Sequence, residues 1–313
     1  MGSVTFLDFP LIDVKCLSVE PHGFALDESW RAMAATNACT ALRRATGMLF
    51  VVGALAFAAA ATVLSATFDW PDILREPAGV VLPAFLAGGA GLVWTWFATA
   101  WTYAILAVPI LLLPAVLGRR DDPVLRAATS VGAVSVLLSL VGFLRWVFVV
   151  PPLARSYVTG DEATRAGVEA AWTAQHQFGG ALLGEHLGQL LAICWSLVLS
   201  VIILRTRVLP RWLGVSGLVV SGLYLLNQGD VLATAVPGFP IWDLAGLLGS
   251  TGWGLWVAAL GVTILLRPVA PAIGTSTGRF SPVDDVHGVD ETDGANVGTP
   301  AQSMPRAARP AQA

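Results

Sequence analysis

Residues 77–118 read PAGVVLPAFLAGGAGLVWTWFATAWTYAILAVPILLLPAVLG, 42 positions without one Asp, Glu, Lys or Arg. A helix needs about 20 apolar residues to cross a hydrocarbon core of about 30 Å, so this stretch alone excludes an ordinary soluble domain. The rest of the chain agrees. Of its 313 residues, 55% are hydrophobic and 12% charged, with a mean hydropathy of +0.70, against about 25% charged in a soluble domain. Five further apolar blocks lie near residues 46–68, 124–150, 179–204, 212–230 and 243–266. With the quoted stretch taken as one span near 88–117, the expected fold is all-α: a polytopic membrane protein with a bundle of six transmembrane helices.

The basic residues orient it. Six spans put Lys15, Arg31, Arg43 and Arg44 on the same side as Arg119, Arg120, Arg126, Arg205, Arg207, Arg211, Arg267, Arg279, Arg306 and Arg309, 14 in all. Three (Arg75, Arg155, Arg165) fall opposite, and Arg145 falls inside a span. The positive-inside rule then places both termini in the cytoplasm. Splitting 77–118 into two spans would expel every later basic loop, so one long helix is expected, tilted or kinked near Pro109 and Pro114. The domain layout that follows is a cytoplasmic N-terminal segment over 1–45, the span domain over 46–267, and a disordered cytoplasmic tail over 268–313 rich in Pro, Gly, Ala, Thr and Asp.

Several classes are disfavoured. Net charge is −3, with no basic stretch beyond an arginine pair, so nucleic acid is not an expected partner. Cys16, Cys39 and Cys194 are odd in number and widely spaced, which indicates no disulfide framework. The first apolar block starts late and is too long for a signal peptide. It reads as an uncleaved span anchored by Arg43 and Arg44, with Met33 as an alternative start. Trp70, Trp146, Trp212 and Trp242 fall near span ends, where indoles rest at headgroup level.

Small residues recur every fourth position: Gly180, Gly184 and Gly188 on the fourth span, Gly217 and Ser221 on the fifth, Ser250 and Gly254 on the sixth. Such stripes let helices approach closely within a bundle, or between copies in a homo-oligomer. Polar groups inside spans are costly and become candidates for function. Arg145 on the third span and Glu185 and His186 on the fourth reach one depth in the outer half, at 1.5 Å per residue from their span ends. An Arg145–Glu185 ion pair is therefore expected, with Gln189 one turn below and His176 and Gln177 near the mouth. Asn227, Gln228 and Asp230 arrive at the same level. The alternative is that Arg145 snorkels to the headgroups while Glu185 and Gln189 act as interhelical glue.

Enzyme signatures are missing from the sequence. Leu182 stands where an inverted zinc motif needs His, and His176 and His186 share one helix, which disfavours a bis-His haem. No catalytic residue, metal or cofactor is expected.

The elements Gly142-Phe143-Leu144-Arg145-Trp146 leading to Pro151-Pro152-Leu153-Ala154, His176-Gln177, Gly184-Glu185-His186-Leu187-Gly188, and Leu209-Pro210-Arg211-Trp212-Leu213-Gly214 together resemble a bacterial membrane family, the domain of unknown function 4386. The resemblance covers roughly residues 42–267 and implies six spans in a bacterial cell membrane, without an assigned activity. Three readings follow: a non-enzymatic envelope or accessory protein whose polar cluster holds the bundle, a small-solute or proton carrier using it, and a membrane enzyme. The lipid bilayer is the expected partner, and the small-molecule ligand is unknown.

Overall fold

The computed structural model describes residues 25–267, with side chains from Met33 onward and without that of Asp243. The tail expected over 268–313, and any capping role for Asp243, lie outside the described part. The described residues form helices and turns, with no strand. The helices are α1 (Ala25–Phe68), α2 (Ala78–Ala104), α3 (Ala107–Val116), α4 (Pro123–Phe148), α5 (Val150–Thr159) and α6 (Glu162–Gln175). A π-helical segment, His176–Leu187, runs on into α7 (Gly188–Thr206), followed by α8 (Arg211–Leu226), α9 (Gln228–Ala233) and α10 (Asp243–Leu266).

Five helical runs are long and apolar enough to cross a membrane: Met33–Phe68, Ala78–Val116, Pro123–Thr159, Glu162–Thr206 and Leu244–Leu266. The sixth expected span, 212–230, forms α8, whose 16 residues reach about 24 Å at 1.5 Å per residue. A break at Asn227 separates it from α9. Other expectations change too. The helix of the first span begins at Ala25, not near 46, so no backbone boundary separates it from the preceding segment. The quoted uncharged stretch forms one apolar run, Ala78–Val116, interrupted one turn before Pro109, whose missing N–H leaves the Ile105 carbonyl without its α-helical donor. It starts at Ala78, bends at Gly89, whose φ of 59° suits glycine, and breaks between α2 and α3 at Ile105 and Leu106. Cys39 is disulfide-bonded and Cys194 is free, against the expectation of no disulfide.

Local chemistry sets the ends. The Asp122 carboxylate accepts from the Val124 and Leu125 amides, with Pro123 in the first turn, and Asp161 accepts from Thr164. Packing joins α1 to α2, α2 to α4, α4 to α7, α7 to α8, α8 to α10 and α10 back to α1, a ring in chain order. Phe50, Ile110, Trp195, Leu199, Trp256 and Leu260 fill one buried cluster, and α3 lies against α1 and α4.

Glycines set the close approaches. A Cβ on Gly47 would meet the Gly261 carbonyl at 2.9 Å, so the start of the first span lies against the end of the last, and Arg43 donates to the Arg267 carbonyl there. Across α4 the glycine stripe reads in antiparallel register: Gly180 over the Arg145 guanidinium, Gly184 on Gly142, Gly188 on Ser139. That stripe is used within the chain. A second aromatic cluster joins Phe68, Phe85, Trp96, Trp146 and Trp172, and Trp96 and Trp146 stack at 4.6 Å. Trp146, only 1% exposed, is therefore a core residue and not the headgroup anchor that its position near a span end suggested.

Candidate functional site

Loop 69–77, the π-helical segment and α9 meet at one end of the bundle, and the candidate polar residues gather there. Arg145 is present as expected, 7% exposed, but its partner is not Glu185. Its Nε donates to the Gly142 carbonyl at 3.1 Å, and its Nη1 reaches the His176 carbonyl and His176 Nδ1 at 3.3 Å and the Gln175 carbonyl at 3.5 Å. Arginine only donates, so Nδ1 of His176 accepts. The guanidinium also lies 5.2 Å from the Trp146 ring centroid, which favours a cation.

The local helix geometry accounts for this. Where α6 passes into the π segment the backbone bonding lengthens from i→i+4 to i→i+5, and carbonyls at the junction lose their α-helical partners. Gln175 and His176 stand at that junction. Gly180 leaves the space that the guanidinium fills; any Cβ there would collide with it. Gly184 already occupies the face toward α4, touching Gly142. Its neighbour Glu185 is turned about 100° away on an α-helix, and less on a π-helix, and so faces elsewhere.

It faces Arg75. Arg75 Nη2 bonds Glu185 Oε2 at 2.7 Å and Asp230 Oδ2 at 2.6 Å, and its Nε donates to Asp230 as well. Arg75 sits at the end of a 3₁₀ turn, Asp72–Arg75, and joins that turn to the π segment and α9. Burial works to lower its pKa, but Glu185 and Asp230 outweigh burial and hold it above the ordinary arginine value. The other oxygen of Glu185, Oε1, is buried without a hydrogen-bond partner.

The remaining residues form an amide chain. His186 Nδ1 donates to Gln228 Oε1 at 2.8 Å, and Gln228 Nε2 and Asn227 Nδ2 both donate to Gln189 Oε1, at 2.7 and 3.0 Å. Gln177 accepts from Thr234 at 3.3 Å. Thus Arg145 with His176, and Glu185, His186 and Gln189 with α9, are two adjoining sets, with no direct ion pair between them among the described residues.

A cavity of about 690 Å³ opens beside them, lined in part by Arg75, His176, Gln177 and Asp230. Arg145, Glu185 and His186 are not among its lining residues. Arg75 was the residue missed, having been counted only as a loop charge. Nothing local in the sequence marks it, because its partners Glu185 and Asp230 lie 110 and 155 positions away. Among the described residues no group of three His, Cys, Asp or Glu side chains could hold a metal ion.

No curated protein and no solved structure matches the chain. The family model described as Domain of unknown function (DUF4386) matches residues 45–261, more than half of the chain, from within α1 to within α10, and the chain belongs to that family.

Proposed function

We propose that this is a six-span, non-enzymatic protein of a bacterial cell membrane, with both termini cytoplasmic and an envelope or accessory role. The observation that carries the reading is that each candidate side chain (Arg145, His176, Glu185, His186, Gln189) is engaged by protein partners that tie five elements together at one end of the bundle. Such a network holds helices in register; in a membrane, interhelical hydrogen bonds and close glycine contacts take the place of the missing hydrophobic drive.

Parity supports six crossings. Gly47 lies against Gly261, so the first span starts where the last one ends, and a chain returning to its starting side crosses an even number of times. Counting α8 with the five longer runs meets that requirement, with mismatch relieved by local thinning or by flanking residues. Reporter fusions at residues 160 and 208 decide: 160 outside and 208 inside is expected, and the reverse overturns the orientation.

A small-solute or proton carrier is the second reading, favoured by Glu185 Oε1, buried without a partner beside His186. Proton flux into proteoliposomes unchanged by Glu185→Gln would sink it. A second copy of the chain is a proposed partner through Ser250 and Gly254, since a Cβ on Gly254 would meet nothing. A monomer by light scattering at micromolar concentration would refute that pairing.

A further inference from the structure

His176 stands between the seat of Arg145 and the cavity. It is the first residue of the π-helical segment and is 9% exposed. On one side its Nδ1 meets Arg145 Nη1 at 3.3 Å, and the same Nη1 reaches the His176 carbonyl at 3.3 Å. On the other side the residue lines the cavity together with Glu76 and Glu169, both exposed, so water reaches that wall. A buried titratable ring therefore touches a buried cation and has an outlet for protons.

The contact tolerates one protonation state. A guanidinium has only donors, and a protonated imidazole carries N–H on both nitrogens, so the bond to Arg145 exists only while Nδ1 is bare. A proton there would turn the acceptor into a donor and set two cations face to face, with 3.3 Å between their nitrogens. The charged groups around the ring, among the described residues, are Arg145 from α4, Arg75 and Glu76 from the 3₁₀ turn and its end, Glu169 from α6, Glu185 from the π segment and Asp230 from α9. Glu185 and Asp230 are held by Arg75, Glu169 accepts from Tyr157, and no carboxylate pairs with the ring. Nothing is in place to compensate the second charge.

The same guanidinium serves the Gln175 and His176 carbonyls, where bonding passes from i→i+4 to i→i+5. A π-helix spends about one more residue per turn than an α-helix, so the 12 residues His176–Leu187 hold about two more than an α-helix of as many turns. Glu185 and His186 lie near the far end of that segment and bond Arg75 and Gln228. A change of register turns both away from those partners.

We infer that His176 and Arg145 form a proton-operated latch on the π-helical segment: neutral His176 seats the guanidinium on the junction carbonyls, and a proton delivered from the cavity to Nδ1 unseats it and frees the segment from its π register. The inference does not depend on the accessory reading, since a carrier would hold the same latch.

The test is amide hydrogen exchange on the full chain in uncharged maltoside micelles, from about pH 8 to about pH 4, with rates corrected for the intrinsic pH dependence of exchange. His176→Asn offers an acceptor oxygen near the place of Nδ1 and takes no proton; His186→Asn removes the other histidine of the segment. Exchange over residues 176–187 is expected to rise about tenfold or more on acidification in the wild type and in His186→Asn, through loss of a charge-assisted bond, and to stay level in His176→Asn. Carboxylates titrate in all three proteins, so the difference isolates His176. Histidine nitrogen NMR of the wild type reads Nδ1 directly, and its protonation should share a midpoint with the exchange even where His176→Asn does not fold. An equal acid response in a folded His176→Asn, a rise that precedes Nδ1 protonation, or no rise in the wild type overturns the latch.

Discussion

Arg75 and Arg145 stand at the same end of the bundle and are held by opposite means. Arg145, from the third span, is buried on carbonyl oxygens and a tryptophan face, with no carboxylate in contact. Arg75, from a loop, keeps 28% of its side chain exposed and grips two carboxylates, 16% and 34% exposed. The first arrangement exists because a π-helical junction releases carbonyls and a glycine leaves room. The second exists because three elements converge at the rim. The charge deep in the bundle is thus held on carbonyls and rings, whereas the one near water links two carboxylates, and the two should respond differently to packing and salt.

The largest effect is expected from closing the space on which the Arg145 arrangement depends. Gly142→Val would drive a Cβ to 2.8 Å from the Gly184 Cα, backbone against backbone, where neither side can yield. A loss of about 3 kcal/mol or more is expected, at the upper end of overpacking costs, read by thermal unfolding in detergent. Near-wild-type stability would mean that the α4 contact with the π segment is looser than the register implies.

Next comes Arg145→Met, similar in length but without donors. It strands the carbonyls of Gln175 and His176 in a dry contact, at a cost of about 2 kcal/mol, and the loss should be the same at low and high salt. If the loss shrinks with salt, a carboxylate is compensating Arg145 after all. Arg75→Met should cost less, about 1 kcal/mol for a partly exposed pair, and most of that should vanish at about 1 M salt, where the screening length is about 3 Å. A double-mutant cycle of Arg75 with Glu185 that shows no coupling at low salt would remove the ionic link between the 3₁₀ turn and the π segment.

The contrast also explains what could be read in the residues. Arg145 stood out because a charge in an apolar run is costly, and the depth arithmetic put Glu185 on its level. Depth carries no azimuth, however. Gly180, Gly184 and Gly188 mark the face turned to α4, so Glu185, one residue on from Gly184, looks away. The π-helical stretch was not available, since nothing in HQFGGALLGEHL distinguishes a turn of 4.4 residues from one of 3.6 before packing is known. Arg75 was illegible for a different reason: its partners lie 110 and 155 positions away, and only the closure of the ring brings them together. The break at Ile105 and Leu106 was legible, because Pro109 cannot donate to the Ile105 carbonyl four residues before it, whereas nothing marked the bend at Gly89.

The smallest effect should come from a third arginine, at the opposite end, which shows what an ordinary exposed pair contributes. Arg119 Nη2 meets Asp122 Oδ2 at 2.7 Å, three residues on, and the same carboxylate caps α4 through Val124 and Leu125. Those contacts, with the Arg119 hydrogen bond the strongest, hold the Asp122 pKa below its ordinary 3.8. The sign follows from linkage: a carboxyl with a depressed folded pKa stabilises the fold above the unfolded value, and that contribution is lost as pH falls through the folded one. Asp122→Asn should therefore flatten the acid limb of stability below about pH 4, leave the midpoint at pH 7 only slightly lowered, and not alter the response of either Arg75 or Arg145 variants to salt. An acid limb unchanged in Asp122→Asn would show that neither the Arg119 pair nor the α4 cap contributes to stability in acid, and that the depressed Asp122 carboxyl is no part of what holds this end of the bundle.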